Sequence, residues 1–209
     1  MKTNKEYKNA ALTALKGNWK QAVLVTFLML LITMLPSLFG ESESTFMVIL
    51  SMAVSVCVLM PLSVGIYAAF RRLYTEGHPE ITKNAFSVAF GNWAHNVGGV
   101  LLMTVYLFFW TLLLIIPGLI KSLSYALTPF ILNEKPELSA NEAIELSMKM
   151  MDGHKLDLFI LYLSFIGWYL LAFLTLCIGM LWVSPYQYTT VAAFYEDVKA
   201  EYESRQAVA

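Results

Sequence analysis

Apolar positions in this chain form runs too long for an ordinary soluble element. Phe46–Phe70, Asn96–Ile120 and Leu158–Tyr195 contain no Asp, Glu, Lys, Arg or His. Roughly 20 mostly apolar residues carry a helix across a bilayer's hydrocarbon core, so the last run suffices for two crossings. The pattern predicts six spans, at about Gln21–Phe39, Phe46–Phe70, Asn96–Ile116, Leu119–Leu132, Leu158–Ile178 and Leu181–Tyr195. Backbone amides in lipid must bond within their own segment, so each span is expected to be a helix. The ~10-residue alternating segments of a transmembrane barrel are absent. The fourth span is short, rising only about 21 Å as a helix, and it contains Pro129. Extension to Glu134 and a locally thinned bilayer would accommodate it.

Between these runs the period changes to that of amphipathic helices. Thr3-Asn-Lys-Glu6 fits a capping box, and Leu12, Leu15 and Trp19 follow on one face. Pro79 suits a first helical turn, before a stripe of Ile81, Ala85, Phe86, Ala89, Phe90 and Trp93. Ser139-Ala-Asn-Glu142 is a second capping box, with Ile144, Met148 and Met151 beyond it. Trp19 and Trp93 stand where such helices turn into the membrane, a favoured depth for indole anchors. These helices are expected either to lie on the membrane surface or bind a partner, or to pack as connectors under the bundle.

The charges give this arrangement a direction. Only 14% of residues are charged, against 58% hydrophobic, and net charge is −1, so nucleic acid is not an expected partner. Lys and Arg gather before the first span, between the second and third, between the fourth and fifth, and after the sixth. The other connections lack them, with Lys121 near one. By the positive-inside bias both termini are expected in the cytoplasm. The apolar stretch Ala22–Phe39 is long for a signal core and has no small-x-small cleavage site, so it reads as a retained span. Cys57 and Cys177 read as small buried packing residues, with no zinc-type spacing.

The chain also echoes itself. Gly17-Asn-Trp19 recurs as Gly91-Asn-Trp93, and Gly153-His154 takes the same place in a third unit. Pro61 to Phe70 matches Pro185 to Phe194, both ending Ala-Ala-Phe, and Lys121 to Phe130 fills that window in the middle. The candidate units are 3–72, 79–134 and 138–198 of one membrane domain covering 1–209. They predict an all-α, polytopic fold of three helical hairpins around a pseudo-threefold axis. The return spans are the more polar ones, so they should face one another. Two readings follow: hydrogen bonding between helices, or a polar cavity lined by Lys121, Ser124, Tyr125, Gln187, Tyr188 and Thr190.

Candidate chemistry is sparse. Lys121 is the one ionisable residue within reach of the membrane interior, either snorkelling to the outer surface or meeting an anionic group. Arg71, Arg72, His154 and Lys155 stand at span ends, where lipid head groups are the expected contacts. His78, His95 and His154 all fall in cytoplasmic segments. Asp152, His154 and Asp157 match no metal motif, so no metal or cofactor is expected. No Walker loop, His-Glu-x-x-His or Gly-x-Ser-x-Gly elbow occurs. With no carboxylate inside a span, an enzyme or carboxylate proton relay is not expected.

Several phrases together carry a family resemblance: Lys16-Gly-Asn-Trp19, Pro117-Gly-Leu-Ile-Lys121, Ser139-Ala-Asn-Glu-Ala-Ile144, Gly153-His-Lys155, Leu163-Ser-Phe-Ile-Gly-Trp168 and Leu181-Trp-Val-Ser-Pro-Tyr186. They resemble the bacterial integral-membrane proteins grouped as domain-of-unknown-function family 975. More distantly, the chain is similar to the membrane domain of some glycerophosphodiester phosphodiesterases, without any catalytic domain. The resemblance implies a six-helix protein of the bacterial cytoplasmic membrane and supplies no substrate or catalytic residues. The expected role is a non-enzymatic scaffold or accessory factor in envelope or lipid homeostasis. Its expected partners are membrane lipids and a protein on the cytoplasmic face; the rival reading is a small transporter or lipid-handling channel.

Overall fold

The computed structural model describes residues 1–40, 44–77 and 80–208. His78 and Pro79, singled out above, lie outside the described residues, as does part of the predicted turn between the first two spans. Every regular element described is helical. Helix α1 (Asn4–Leu15) leads into α2 (Trp19–Gly40). Next come α3 (Thr45–Val54), a π-helical turn at Ser55–Leu59 and α4 (Met60–Glu76), which make one continuous rod. Then follow α5 (Ile81–Gly91), α6 (Trp93–Leu113), α7 (Ile115–Tyr125) and α8 (Thr128–Glu134). The chain continues through α9 (Ala140–Met150), α10 (Lys155–Leu163), α11 (Ile166–Leu174) and α12 (Met180–Val208).

Among the described residues, five helical stretches are long and apolar enough to cross a membrane: Trp19–Ser37, Thr45–Glu76, Trp93–Leu113, Ile115–Glu134 and Lys155–Leu174. They coincide with the first five predicted spans. The predicted sixth, Leu181–Tyr195, forms the first half of α12 and is not among them. Tyr186, Gln187, Tyr188, Thr189 and Thr190 dilute its apolar content, and most of this stretch is enclosed by other helices.

Prolines account for two of the interruptions. Pro129 opens α8 just past the interruption at Ala126–Leu127. Pro61 sits in the first turn of α4, directly after the π-turn. Lacking an N–H, a proline leaves the carbonyl four residues earlier without its helical donor. For Pro61 that carbonyl belongs to Cys57, and the Trp93 indole donates to it at 2.8 Å. Cys57 precedes Arg71 by about 20 Å of helical rise. Trp93 and Arg71 therefore meet the rod at different depths, rather than marking one surface.

The amphipathic helices pack as connectors along the bundle. Both capping boxes form, Thr3 with Glu6 and Ser139 with Glu142. The buried stripe of α1 is Tyr7, Ala11 and Leu15, directed at α12; Leu12, expected on that stripe, is exposed. Helix α5 runs back along α4, with Ala85 and Ala89 over Gly65. A Cβ at Gly65 would run into the Ala85 carbonyl and stand 2.9 Å from the Ala89 methyl, so this crossing requires glycine. Phe90 of α5 and Trp93, which opens α6, stay exposed. Helix α9 lies against α6, α7 and α8. Gly17 and Gly153 adopt the left-handed conformation at their turns (φ 89° and 87°), whereas the middle turn is made at Asn92 without it.

Cys57 and Cys177 are exposed free thiols, not buried packing residues. The expectation fails because an apolar run can end on the surface of the bundle as readily as in its interior. The same applies to the exposed apolar residues from Phe108 to Ile116 and from Leu170 to Leu176.

The core forms where α4, α8 and α12 meet. Phe70, Phe130 and Phe194, which end the three aligned windows, are all 0% exposed. Tyr67 of α4 meets Phe130 of α8 edge-on at 5.1 Å and Tyr188 of α12 at 5.2 Å. Phe130 stacks on Tyr195 at 4.6 Å, closing the triangle. Helix α1 is tied to the same end: Lys2 pairs with Asp197 at 2.6 Å, and the Tyr7 hydroxyl donates to that carboxylate at 3.0 Å. Burial pushes the Asp197 carboxyl up, but hydrogen bonds from Lys2 and Tyr7 outweigh it and hold the pKa below the usual value.

Candidate functional site

The predicted site residues fall into separate groups. Lys121 holds its ammonium over the Trp110 ring at 4.8 Å and near the Tyr125 ring at 5.8 Å, with the Met148 sulfur at 3.5 Å. A cation on aromatic faces is stabilised without a counter-ion. Ser124 is buried; its hydroxyl donates to the Ile120 carbonyl, and its own carbonyl accepts from Ser147 at 2.8 Å. Tyr125 is also buried.

On α12 a second group is held by different neighbours. Gln187 accepts from the Tyr169 hydroxyl. Tyr188 stacks on Phe70 at 5.5 Å. Thr190 is wholly buried and donates to the Tyr186 carbonyl at 2.7 Å, as Thr189 does to Pro185 at 2.8 Å. These hydroxyls are satisfied within their own helix, which allows Ser and Thr to sit in a core without a ligand. Beside this centre runs an open crevice of about 420 Å³, lined by Tyr67, Ser122, Phe159 and Tyr162 among others.

Arg71 and Arg72 are neighbours with different surroundings. Arg71 donates to Glu196 of α12 at 2.5 Å and to Glu134 of α8 at 3.2 Å. Glu134 also takes hydrogen bonds from Tyr195 and Lys199. Arg71 of α4, Glu134 of α8, and Glu196 and Lys199 of α12 thus enter a single network, with the side chains only 15–23% exposed. Sequence reasoning treated Arg71 as a head-group anchor and passed over Glu134, Glu196 and Lys199. The signal was available: these charges follow Phe70, Phe130 and Phe194 within a turn or so in the aligned windows.

Arg72 makes no ion pair or hydrogen bond among the described residues. Its side chain lines a pocket of about 330 Å³ with Ser87, Gly91, Asn92, Asn96 and Asn133. His154 lies between Asp157 and Glu201, each at 3.5 Å, with Arg205 adjacent. Lys155 opens α10 and has no such partner among the described residues. Trp19 lies beside Leu12, Trp168, Trp182 and Tyr186 along an apolar groove of about 410 Å³. Among the described residues no three His, Cys, Asp or Glu side chains gather to hold a metal ion.

Comparison with known proteins places this architecture in a family. No curated protein and no solved structure matches the chain, and the likeness to phosphodiesterase membrane domains is not shown. The model of one family, described as "Protein of unknown function (DUF975)", matches residues 1–126 and 111–202. With nearly its whole length matched, the chain belongs to the DUF975 family.

Proposed function

We propose that this chain is a six-span protein of the bacterial cytoplasmic membrane, with both termini inside, acting without catalysis as a scaffold or accessory factor in envelope or lipid homeostasis. The observation that carries the reading is the closed centre. Tyr67, Phe130, Tyr188 and Tyr195 interlock where α4, α8 and α12 converge, and the hydroxyls of Ser124, Thr189 and Thr190 bond within their own helices. A centre of this kind fixes helices relative to one another. Its chemistry lies at the periphery, where lipid and partner proteins make contact.

The sixth crossing is the first half of α12. Sheltered by its neighbours, it tolerates polar side chains that a lipid-exposed span would not. The repeat is supported by packing that goes round in one sense. Helix α5 lies on α4, α9 on α7 and α8, and α1 on α12, so each connector rests on the return helix of the preceding unit. The three hairpins then surround a pseudo-threefold axis passing near Phe70, Phe130 and Phe194.

Affinity capture of the full-length chain in mild detergent tests the role. Reproducible enrichment of one lipid class or one membrane protein is the expected result; recovery of the chain alone would overturn it. The crevice at Tyr67 and Tyr162 favours a second reading, a small lipid-handling channel. In that case Ala126→Trp, filling the crevice, would abolish lipid exchange between proteoliposomes without changing the melting temperature.

A further inference from the structure

We infer that the pocket at Arg72 binds a phosphoryl group. Three observations converge on it. The pocket is an open one of about 330 Å³, at the small end of ligand sites, which run from roughly 300 to 1,000 Å³. It is mainly polar, lined by Arg72, Ser87, Asn92 and Asn133, with no carboxylate in its wall. The Arg72 guanidinium pairs with nothing among the described residues, whereas Arg71 beside it is held by two carboxylates.

The walls are preorganised. Asn96 is 1% exposed and donates to the carbonyls of Val88 and Ala89 at 2.9 and 3.0 Å, which fixes the α5–α6 corner. With both amide hydrogens engaged, Asn96 positions the corner and is not itself a donor to the anion. Gly99 brings α6 onto α8, where a Cβ would come within 2.5 Å of Leu132, and this sets Asn133 beside the corner. The available donors are therefore a forked guanidinium, two carboxamides and one hydroxyl. A tetrahedral phosphate can accept from several of these at once, with Arg supplying the paired bonds.

Two sources share this chemistry: the head group of an anionic phospholipid and a soluble phosphate ester. The lipid source rests on the membrane reading proposed above. The test uses the full-length chain in neutral detergent. One arm measures retention of phosphatidylglycerol by native mass spectrometry; the other titrates inorganic phosphate and glycerol 3-phosphate while following thermal stability. Wild type is expected to bind in one arm, and that arm names the source. Arg72→Gln should weaken binding at least about tenfold (~1.4 kcal/mol), with Arg72→Lys intermediate because an ammonium lacks the fork. Lys5→Gln removes a positive charge elsewhere and should change nothing. Asn133→Leu keeps the charge but removes a donor, and it decides the matter should Arg72→Gln fail to fold. Equal binding by wild type, Arg72→Gln and Asn133→Leu, or no binding in either arm, overturns the inference. Carbonate extraction of cell membranes separates the two failures: release without detergent refutes the membrane reading and leaves the soluble arm intact.

Discussion

The bundle has two ends, and they are built differently. Around Phe70, Phe130 and Phe194, side chains are buried, rings interlock, and Arg71, Glu134, Glu196 and Lys199 join the helix ends through charge. Around the α6–α7 and α11–α12 turns, Leu112–Ile116 and Phe173–Leu176 are apolar yet largely exposed. In water the second arrangement would be untenable, since monomers rarely expose large contiguous apolar patches. In lipid it is ordinary, because hydrocarbon tails solvate such surfaces and drive no burial. Packing and polar bonds at the first end hold the fold together, while the surrounding solvent accommodates the second.

Substitutions at the two ends should therefore separate sharply. Phe130→Ala removes the ring that touches both Tyr67 and Tyr195, and should cost about 3–5 kcal/mol, measured by unfolding in mixed micelles. Arg71→Ala removes the ion pair that Glu196 makes among the described residues, while Glu134 keeps Lys199; the expected loss is roughly 3 kcal/mol, the low end for breaking a buried pair because these groups keep some exposure. Gly65→Ala forces α5 away from α4 and should cost about 1–3 kcal/mol, with faster proteolysis between Glu76 and Ile81.

The Lys2–Asp197 tie probes the edge of the core through pH. The Asp197 pKa is held low in the folded chain, so its contribution is complete above the ordinary carboxylate value and disappears as pH falls through the lowered one. That pair is partly exposed, so the effect should be only about 0.2–1 kcal/mol, seen as loosening of α1 in hydrogen exchange below about pH 4. Leu113→Ala, at the exposed end, should stay within about 0.5 kcal/mol. A large loss there, or a small one at Phe130, would erase the contrast.

Much of this fold was legible in the pattern of apolar runs. Five helices long and apolar enough to span a membrane, and both capping boxes, follow from period and composition. The sixth segment was legible as apolar between its charges, yet its Tyr, Gln and Thr residues reflect shelter by neighbours, a tertiary property. Leu12 and Leu15 look equivalent by period, but α12 lies on only one side of α1, so one is buried and the other exposed. Arg71 and Arg72 are identical in type and adjacent in sequence. About 100° of helical rotation sends one toward Glu134 and Glu196 and the other into an uncharged pocket, and sequence alone does not say which.

The central claim is that the charged, packed end faces the cytoplasm and the apolar turns face outward. Labelling intact cells with a membrane-impermeant maleimide tests it, using Cys57→Ser chains that keep Cys177 at the α11–α12 turn, with and without Lys149→Cys on α9. The account predicts that Cys177 reacts from outside, while the thiol introduced at position 149 reacts only after lysis. Reaction at position 149 in intact cells, with Cys177 protected, would contradict it.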